Sequence, residues 1–337
     1  MIITKTPFRI SFFGGGTDFP AWYRENGGAV LSTSIDKYCY LSCRYLPPFF
    51  DYKYRIVYSR QENVSKIDEI GHPAVRGILN YFNHDRGLIV HHDADLPARS
   101  GLGTSSSFTV CLLHNMYARK GKMVSKRQLA EEAIHIEQKV LNENVGSQDQ
   151  VITAYGGFNR IDFGGDREFD VTPVTLGRER SERFQDHLLL FFTGVDRIAS
   201  QIEGEKIRNI PDRNRELKEI HALVDQSMEV LGGDGGFADF GKMLHEYWRL
   251  KKALSTKTSN TMIDDIYDRA MKAGALGGKI LGAGSGGFIL FFVEPDKQPA
   301  VRSALSDLLH VPFRFDTGGS QVIYYNLETE QYEEESI

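Results

Sequence analysis

Leu96-Pro97-Ala98-Arg99-Ser100-Gly101-Leu102-Gly103-Thr104-Ser105-Ser106-Ser107-Phe108 sets two glycines, one residue apart, directly ahead of a run of hydroxyl side chains. Glycine at both positions lets the backbone turn tightly and bring its N–H groups against an anion, an approach that a Cβ would hinder. Phe108, Leu112 and Met116 recur every four residues, so the spacing predicts a helix that starts near Thr104 and turns this stripe toward a core. The first N–H groups of such a helix lack intrahelical partners and its dipole is positive at that end, so a phosphate could sit in the loop. A Ser/Gly linker is the plain alternative, but a flexible linker seldom runs straight into a periodic helix. The familiar P-loop is absent, because no lysine stands between Arg99 and Arg119.

The bulk composition narrows the class. A chain of 337 residues exceeds one typical core, and about two domains is the natural expectation. Hydrophobic residues at 41% and charged residues at 25% exclude a disordered composition. A formal net charge of −5 gives no basic excess, which argues against nucleic acid or an acidic membrane as the main partner and leaves room for a local anion site. Cys39, Cys43 and Cys111 lie in apolar settings without paired metal spacing and read as reduced core residues. The opening Met1-Ile2-Ile3-Thr4-Lys5 has no signal-peptide pattern, and no apolar run approaches the ~18 residues of a membrane span, so a cytoplasmic location is expected.

Upstream, Pro7-Phe8-Arg9-Ile10-Ser11-Phe12-Phe13-Gly14-Gly15-Gly16-Thr17-Asp18 carries a short apolar strand pattern with one arginine into three glycines and an acid. Such a turn permits close backbone approach to a ligand, and Thr17 and Asp18 could hydrogen-bond sugar-like hydroxyls. A hairpin turn with an exposed Asp is the alternative. Alternation over Tyr38 to Tyr45, Tyr54 to Tyr58 and Leu88 to His92 predicts several strands of one sheet, and Val75, Ile78, Leu79 and Phe82 share a helix face. Downstream of the glycine loop, Ser125 and Gln128 take the capping-box positions of another helix, with the buried stripe Leu129, Ala133, Ile136 and Val140. Glu137 projects beside that stripe, and a carboxylate there wants either a structural arginine or a metal ion near the phosphate. In Val145-Gly146-Ser147-Gln148-Asp149-Gln150, Asp149 stands in a loop just past this helix; read alone, it is a turn or cap residue.

Charge-rich Gly177 to Arg183 is a candidate domain junction. His187 to Thr193 reads as a buried strand, followed by helices with the stripes Leu217/Ile220/Val224/Leu231, Phe237/Phe240/Leu244/Tyr247 and Ile263/Ile266/Ala270/Ala273. A second glycine cluster, Lys279-Ile280-Leu281-Gly282-Ala283-Gly284-Ser285-Gly286-Gly287-Phe288, leads into the apolar strand Ile289 to Val293. This strand-loop-strand could press its backbone against the first loop, or be a glycine-rich hairpin without function. Strands at Val311 to Phe315 and Gln321 to Tyr325 close the fold, and the tail Glu328 to Glu335 is acidic.

These three motifs, in this order, resemble those of the GHMP kinases, the family of galactokinase, homoserine kinase and mevalonate kinase. Pro97 to Ser106 is similar to the family's Pro-x-x-x-Gly-Leu-Gly-Ser-Ser phosphate loop, with Thr104 in place of the first serine; Pro7 to Asp18 resembles its first motif, with Gly15-Gly16 where galactokinases have Glu-His; Leu281 to Gly287 matches its third. The resemblance implies a two-domain α/β (α+β) fold, residues 1–180 carrying the phosphate loop and 181–337 a ferredoxin-like second domain, with the active site between them. It further implies ATP and Mg2+, with Asp149 as catalytic base and Arg9 beside it. Pro97, Ser100, Gly101, Leu102, Gly103, Thr104, Ser105 and Ser106 would lie on the nucleotide; Ser105 and Glu137 would hold the metal; Gly15, Gly16, Thr17, Asp18, Gly282 and Gly284 would meet the acceptor. An arginine beside Asp149 would also stabilise charge on the transferred phosphoryl group.

Within the family, Gly14 to Pro20, Gly146 to Gln150 and Phe191 to Ser200 look most like the bacterial heptose kinases, which implies phosphorylation of D-glycero-D-manno-heptose 7-phosphate at its anomeric hydroxyl. The partners expected are then a small sugar phosphate and ATP, with no nucleic acid and no membrane, in a monomer or homodimer. Lys37, Arg160 and Arg197 are candidates for the substrate's own phosphate. A fucokinase-type or galactokinase-type enzyme is the alternative within the class. A non-catalytic nucleotide-binding regulator is the alternative outside it, and would have no need of Asp149, Arg9 and Glu137 together.

Overall fold

A computed structural model of the protein describes residues 1–98, 100–194, 213–255 and 257–327. Its organising element is a pair of long antiparallel strands, Ile2–Phe13 and Gly28–Tyr45. Gly28–Tyr45 pairs along its other edge with Leu88–Ala94 and, near its start, with Phe158–Phe163; Tyr54–Val57 runs parallel to Leu88–Ala94 and antiparallel to Gln61–Val64, and Phe169–Pro173 pairs with Phe158–Phe163. Ile2–Phe13 alternates buried and half-buried residues over its first four positions and is buried throughout the remainder. Alternation marks a strand with one covered face, and a continuous buried run marks one with two. The switch falls where the second half of the molecule packs against this sheet.

That second half is built on a four-stranded antiparallel sheet in the order Leu309–His310, Leu188–Phe192, Phe288–Val293, Ala275–Ile280. Strand alternation divides its side chains between two cores. Leu189, Phe191, Ile289 and Phe291 pack with Ile263, Ile266 and Ala270 of the helix Thr261–Lys272, whereas Leu188, Leu190, Phe288, Leu290 and Phe292 join the large core that contains Phe12 and Phe13. Phe184 is the hub of this join, 4.8 Å from Phe240 and 5.8 Å from both Phe12 and Phe292 between ring centroids. Truncating such a buried aromatic costs about 3–5 kcal/mol, so the two sheets are held as one body by apolar burial.

Most expected elements are present. The helix Thr104–Arg119 starts where its stripe placed it, with Phe108, Leu112 and Met116 buried; Ser125 Oγ accepts from Gln128 N at 3.1 Å and starts the helix Lys126–His135. The box is half closed, because the Gln128 side chain turns to Tyr117 and Glu132. Cys39, Cys43 and Cys111 are buried thiols not joined by disulfides.

Three expectations change. Val140 is 39% exposed, because the helix ends in a π turn, Ile136–Val140, closed by Leu141 N to Ile136 O at 2.8 Å; the wider turn rotates Val140 off the stripe. Asp149 is not in a loop but in the first turn of a further helix, Gln148–Tyr155, whose short length hid its period. Val311 to Phe315 is not one strand: Leu309–His310 ends in the second sheet, while Phe315–Asp316 and Gln321–Tyr325 return to the first. Apart from these, the charged stretch Gly177 to Arg183, the candidate junction, leads into a helix, Arg178–Gln185, anchored by Phe184. The tail Glu328 to Glu335 lies outside the described residues.

Candidate active site

The loop before Thr104–Arg119 is shaped by Gly101 (φ 88°) and Gly103 (φ 72°), both in the left-handed region. Gly103 is the residue from which the helix departs, and a Cβ on it would stand 3.0 Å from Arg9 Cγ. Leu102 between them is buried and its carbonyl accepts from Arg9 N at 2.9 Å, so the first motif holds the second by its main chain. The loop opens on a cleft of about 550 Å³, large enough for small-molecule ligands. Arg9, Gly15, Gly16, Asp18, Gly101, Gly103, Thr104, Ser105, Ser106, Glu137, Asp149 and Gly282 all line it.

Five of the expected residues do not line it. Pro97 is exposed, and Ser100 and Leu102 are buried behind the loop. Thr17 is fully buried, its hydroxyl donating to Gly14 O at 2.8 Å and Ala29 O at 2.9 Å, so it shapes the glycine turn and is not turned to a ligand. Gly284 packs on the main chain at Thr258.

Arg9 and Asp149, 140 positions apart, form a bidentate pair: Nε donates to Oδ1 and Nη2 to Oδ2, both at 2.7 Å, while Nη1 donates to Gly101 O at 2.6 Å. Two parallel charge-assisted bonds fix both planes, so the Asp149 carboxylate is held in one orientation beside the loop. The arginine side chain is 4% exposed and the aspartate 25%, so the carboxylate is the partner that faces the cleft. Asp18 is 2% exposed and accepts from Gly16 N at 2.9 Å and Gln148 N at 3.3 Å, tying the first glycine turn to the helix that carries Asp149. Burial pushes its carboxyl above the usual range, the Gly16 N–H opposes this, and the nearby Asp149 charge adds to the rise.

Glu137 sits on the π turn with no solvent exposure. Its Oε2 accepts from Ser106 Oγ at 2.9 Å and from Gln150 Nε2, and its Oε1 has no hydrogen-bond partner. Burial, with the Glu143 carboxylate adding to it, pushes the carboxyl up to about 8. The hydroxyl that meets Glu137 is therefore that of Ser106 and not of Ser105, which stands exposed on the cleft lip. Successive residues of a helix point about 100° apart, which turns Ser106 to Glu137, Ser107 to Pro7 O and Ser105 to the lip. No arginine or lysine pairs with Glu137 among the described residues, and no group of three or more His, Cys, Asp or Glu side chains is gathered there as a metal site.

The opposite wall comes from the second half of the chain. Gly287 (φ 88°) lies so close to the first loop that a Cβ would be 2.2 Å from Ser100 O, and that carbonyl accepts from Phe288 N at 3.2 Å. The second glycine cluster thus presses its backbone on the first. Tyr247, Lys251 and Lys279 also line this wall, and the sequence reading did not select them as site residues. The available signal was a lysine inside the otherwise apolar strand Ala275–Ile280, and another one turn past Tyr247 on the stripe of the helix Ala238–Leu254. Lys37 is paired with Asp36 at 2.9 Å and Arg160 with Asp162 and Asp225 at 2.9 and 2.6 Å, both away from the cleft; Arg197 lies outside the described residues.

The arrangement has known counterparts. Residues 70–157 match the GHMP kinases N terminal domain and residues 221–311 the GHMP kinases C terminal domain. The chain is 30% identical over 319 residues to the D-glycero-alpha-D-manno-heptose 7-phosphate kinase of Campylobacter jejuni, covering 90% of this chain and 93% of that one. It is 27% identical over 337 residues to the L-fucokinase/L-fucose-1-P guanylyltransferase of Bacteroides fragilis, a longer protein of which 35% is covered. The crystal structure of a D-glycero-D-manno-heptose 1-phosphate kinase from Bacteroides thetaiotaomicron superposes with a TM-score of 0.78 at 25% identity, over 96% of this chain and 99% of that one. Since the likeness runs through both halves of the chain and includes the loop before Thr104–Arg119, the chain belongs to the GHMP kinases and is an ATP-dependent phosphotransferase of the sugar-kinase type.

Proposed function

We propose that the protein transfers the γ-phosphoryl group of ATP to the anomeric hydroxyl of D-glycero-D-manno-heptose 7-phosphate, giving the 1,7-bisphosphate for nucleotide-activated heptose synthesis. The observation that carries the reaction is the Asp149 carboxylate, fixed by Arg9 at 2.7 Å beside the Gly101–Gly103 loop and turned to the cleft. The choice of acceptor is supported by the likeness to the Campylobacter heptose 7-phosphate kinase. The name of the Bacteroides structure points to a heptose 1-phosphate kinase, which makes the position of transfer the decisive measurement.

In this reading the anomeric oxygen attacks the γ-phosphorus as the bond to the β–γ bridging oxygen breaks; ADP leaves, and the hydroxyl proton passes to Asp149. Arg9 orients that carboxylate and places positive charge next to the transferred group. Loop N–H groups and the start of the helix Thr104–Arg119 receive the nucleotide phosphates. Asp18, held by backbone N–H groups, offers its carboxyl to acceptor hydroxyls.

The residues fit Mg2+, a hard cation that takes oxygen ligands. Glu137 Oε1 is buried without a hydrogen-bond partner, and Ser105, Ser106 and Glu143 line the same cleft. Glu137 and a loop serine would hold the ion, which when bound supplies charge neutralisation for the phosphates. No helix among the described residues is long and apolar enough to cross a membrane, and a cytoplasmic monomer or homodimer completes the reading.

The test is a panel of sugars and sugar phosphates assayed for ATP consumption, with the product of the preferred acceptor examined by phosphorus NMR. The expected result is preference for the heptose 7-phosphate and a new phosphate on the anomeric carbon. A new phosphate at any other position, or preference for free fucose or galactose, overturns the assignment.

A further inference from the structure

The helix that carries Asp149 begins one residue earlier, at Gln148, and both residues line the cleft. Their side chains go to opposite glycine motifs. A Cβ built on Gly103 would stand 3.6 Å from Asp149 Oδ2, and one built on Gly15 would stand 3.6 Å from Gln148 Nε2. Consecutive helical residues point about 100° apart, which sends Asp149 toward the phosphate loop and Gln148 toward the Gly14–Gly16 turn. Gln148 therefore lies on the side of Asp149 away from the loop, where an acceptor meets the carboxylate. Gly15 and Gly16 line this end of the cleft and bring no side chain to it.

The other polar side chains against that turn are held by main-chain partners. Thr17 Oγ1 donates to Gly14 O, Asp18 accepts from Gly16 N and Gln148 N, and Tyr247 Oη donates to Gly15 O at 3.3 Å. The Gln148 amide makes no hydrogen bond among the described residues, and its Oε1 is buried without a partner. An amide placed so has given up water and gains nothing in return until a ligand completes it. A half-turn about its last bond exchanges N–H donor and carbonyl acceptor, so it serves a hydroxyl in either sense. We infer that Gln148 is a specificity-determining residue whose amide hydrogen-bonds the acceptor hydroxyl next to the one attacked, the C2 hydroxyl for anomeric transfer. Adjacent residues, with Cα atoms about 3.8 Å apart, are matched in this way to adjacent hydroxyls. The inference rests on the reading of Asp149 as the proton acceptor of a sugar kinase.

The test measures kcat/KM for D-glycero-D-manno-heptose 7-phosphate and for its 2-deoxy analogue, in the wild type and in Gln148→Met, which keeps the side-chain length and removes the amide. The preference for the heptose over the analogue should shrink by at least about 5-fold in the variant, the size of one hydrogen bond, while KM for ATP keeps its wild-type value. Taking the ratio within each protein cancels any general loss of structure or turnover, so a merely structural role leaves it unmoved. An unchanged ratio overturns the inference, and so does a rise in KM for ATP, which would put Gln148 on the nucleotide. If Gln148→Met does not fold, Gln148→Ala is read by the same ratio. A wild type that phosphorylates another sugar and not the heptose overturns the acceptor reading alone. The role of Gln148 is then judged by the same ratio, for that sugar against its form deoxygenated beside the attacked carbon. A wild type that phosphorylates no sugar overturns both.

Discussion

The two walls of the cleft both depend on glycine, and they use it for opposite ends. On the first wall Gly101 and Gly103 keep a loop open to the cleft, with Arg9 and Asp149 packed against its flank. On the second wall Gly287 lets two main chains touch, and its neighbour Phe288 gives an N–H to Ser100 O. Carboxylates divide the same way: Asp18, Glu137 and Asp149 line the first wall, while the second contributes Tyr247, Lys251 and Lys279. The first wall thus carries groups suited to chemistry, and the second fixes the loop's shape and brings two buried lysines to the cleft. Substitutions on the first should damage turnover or ligand binding directly, and one at Gly287 should act through the first.

The largest effect is expected at Asp149. Asp149→Asn keeps the shape and leaves Arg9 a partner for one bond, but removes the proton acceptor, so turnover should fall by at least roughly 10²-fold with little change in substrate binding. Rapid-mix turnover with separate measurement of both substrate affinities checks this, and near-normal turnover would reduce Asp149 to a positioning group. Next is Gly103→Val, which faces both a left-handed backbone and Arg9 Cγ at 3.0 Å. It should weaken ATP binding by an order of magnitude or more, and lower stability by about 1–3 kcal/mol. Calorimetric titration that returned the wild-type ATP affinity would mean the loop does not touch the nucleotide.

Gly287→Ala sharpens the contrast, because its Cβ meets Ser100 O and no part of the cleft. Stability should fall by about 1–3 kcal/mol, with a smaller loss of ATP affinity than Gly103→Val causes. An affinity loss without any shift in the unfolding midpoint would place Gly287 in contact with the ligand and break the division of the two walls. The smallest effect on the protein itself is expected of Glu137→Gln. The amide keeps the shape of the side chain and an oxygen able to accept from Ser106 Oγ, so the fold should survive. The Mg2+ concentration for half-maximal activity should rise, measured by titrating the metal at saturating ATP. Normal activity at limiting Mg2+ would remove Glu137 from the metal reading.

Residues read in short windows determined much of this protein. Glycine spacing marked the loop at Gly101 and Gly103, apolar periodicity marked the helix Thr104–Arg119 and the strand Phe288–Val293, and Ser125 marked a helix start through a bond spanning three residues. Each depends on backbone geometry or burial period that a few neighbouring residues set by themselves. Tertiary structure alone decided which polar groups meet. Arg9 reaches Asp149 across 140 positions because the strand Ile2–Phe13 and the helix Gln148–Tyr155 pack side by side. Ser106 takes Glu137 in place of Ser105 because the two helices fix which of adjacent hydroxyls points inward, and the π turn at Ile136–Val140 sets how Glu137 is aimed. Lys251 and Lys279 came to the cleft because the second sheet stacks on the first, and Val311 to Phe315 split because the chain crosses from one sheet to the other there. A local pattern fixes direction relative to its own helix or strand, and only the packing of those elements turns that direction into a distance to another side chain.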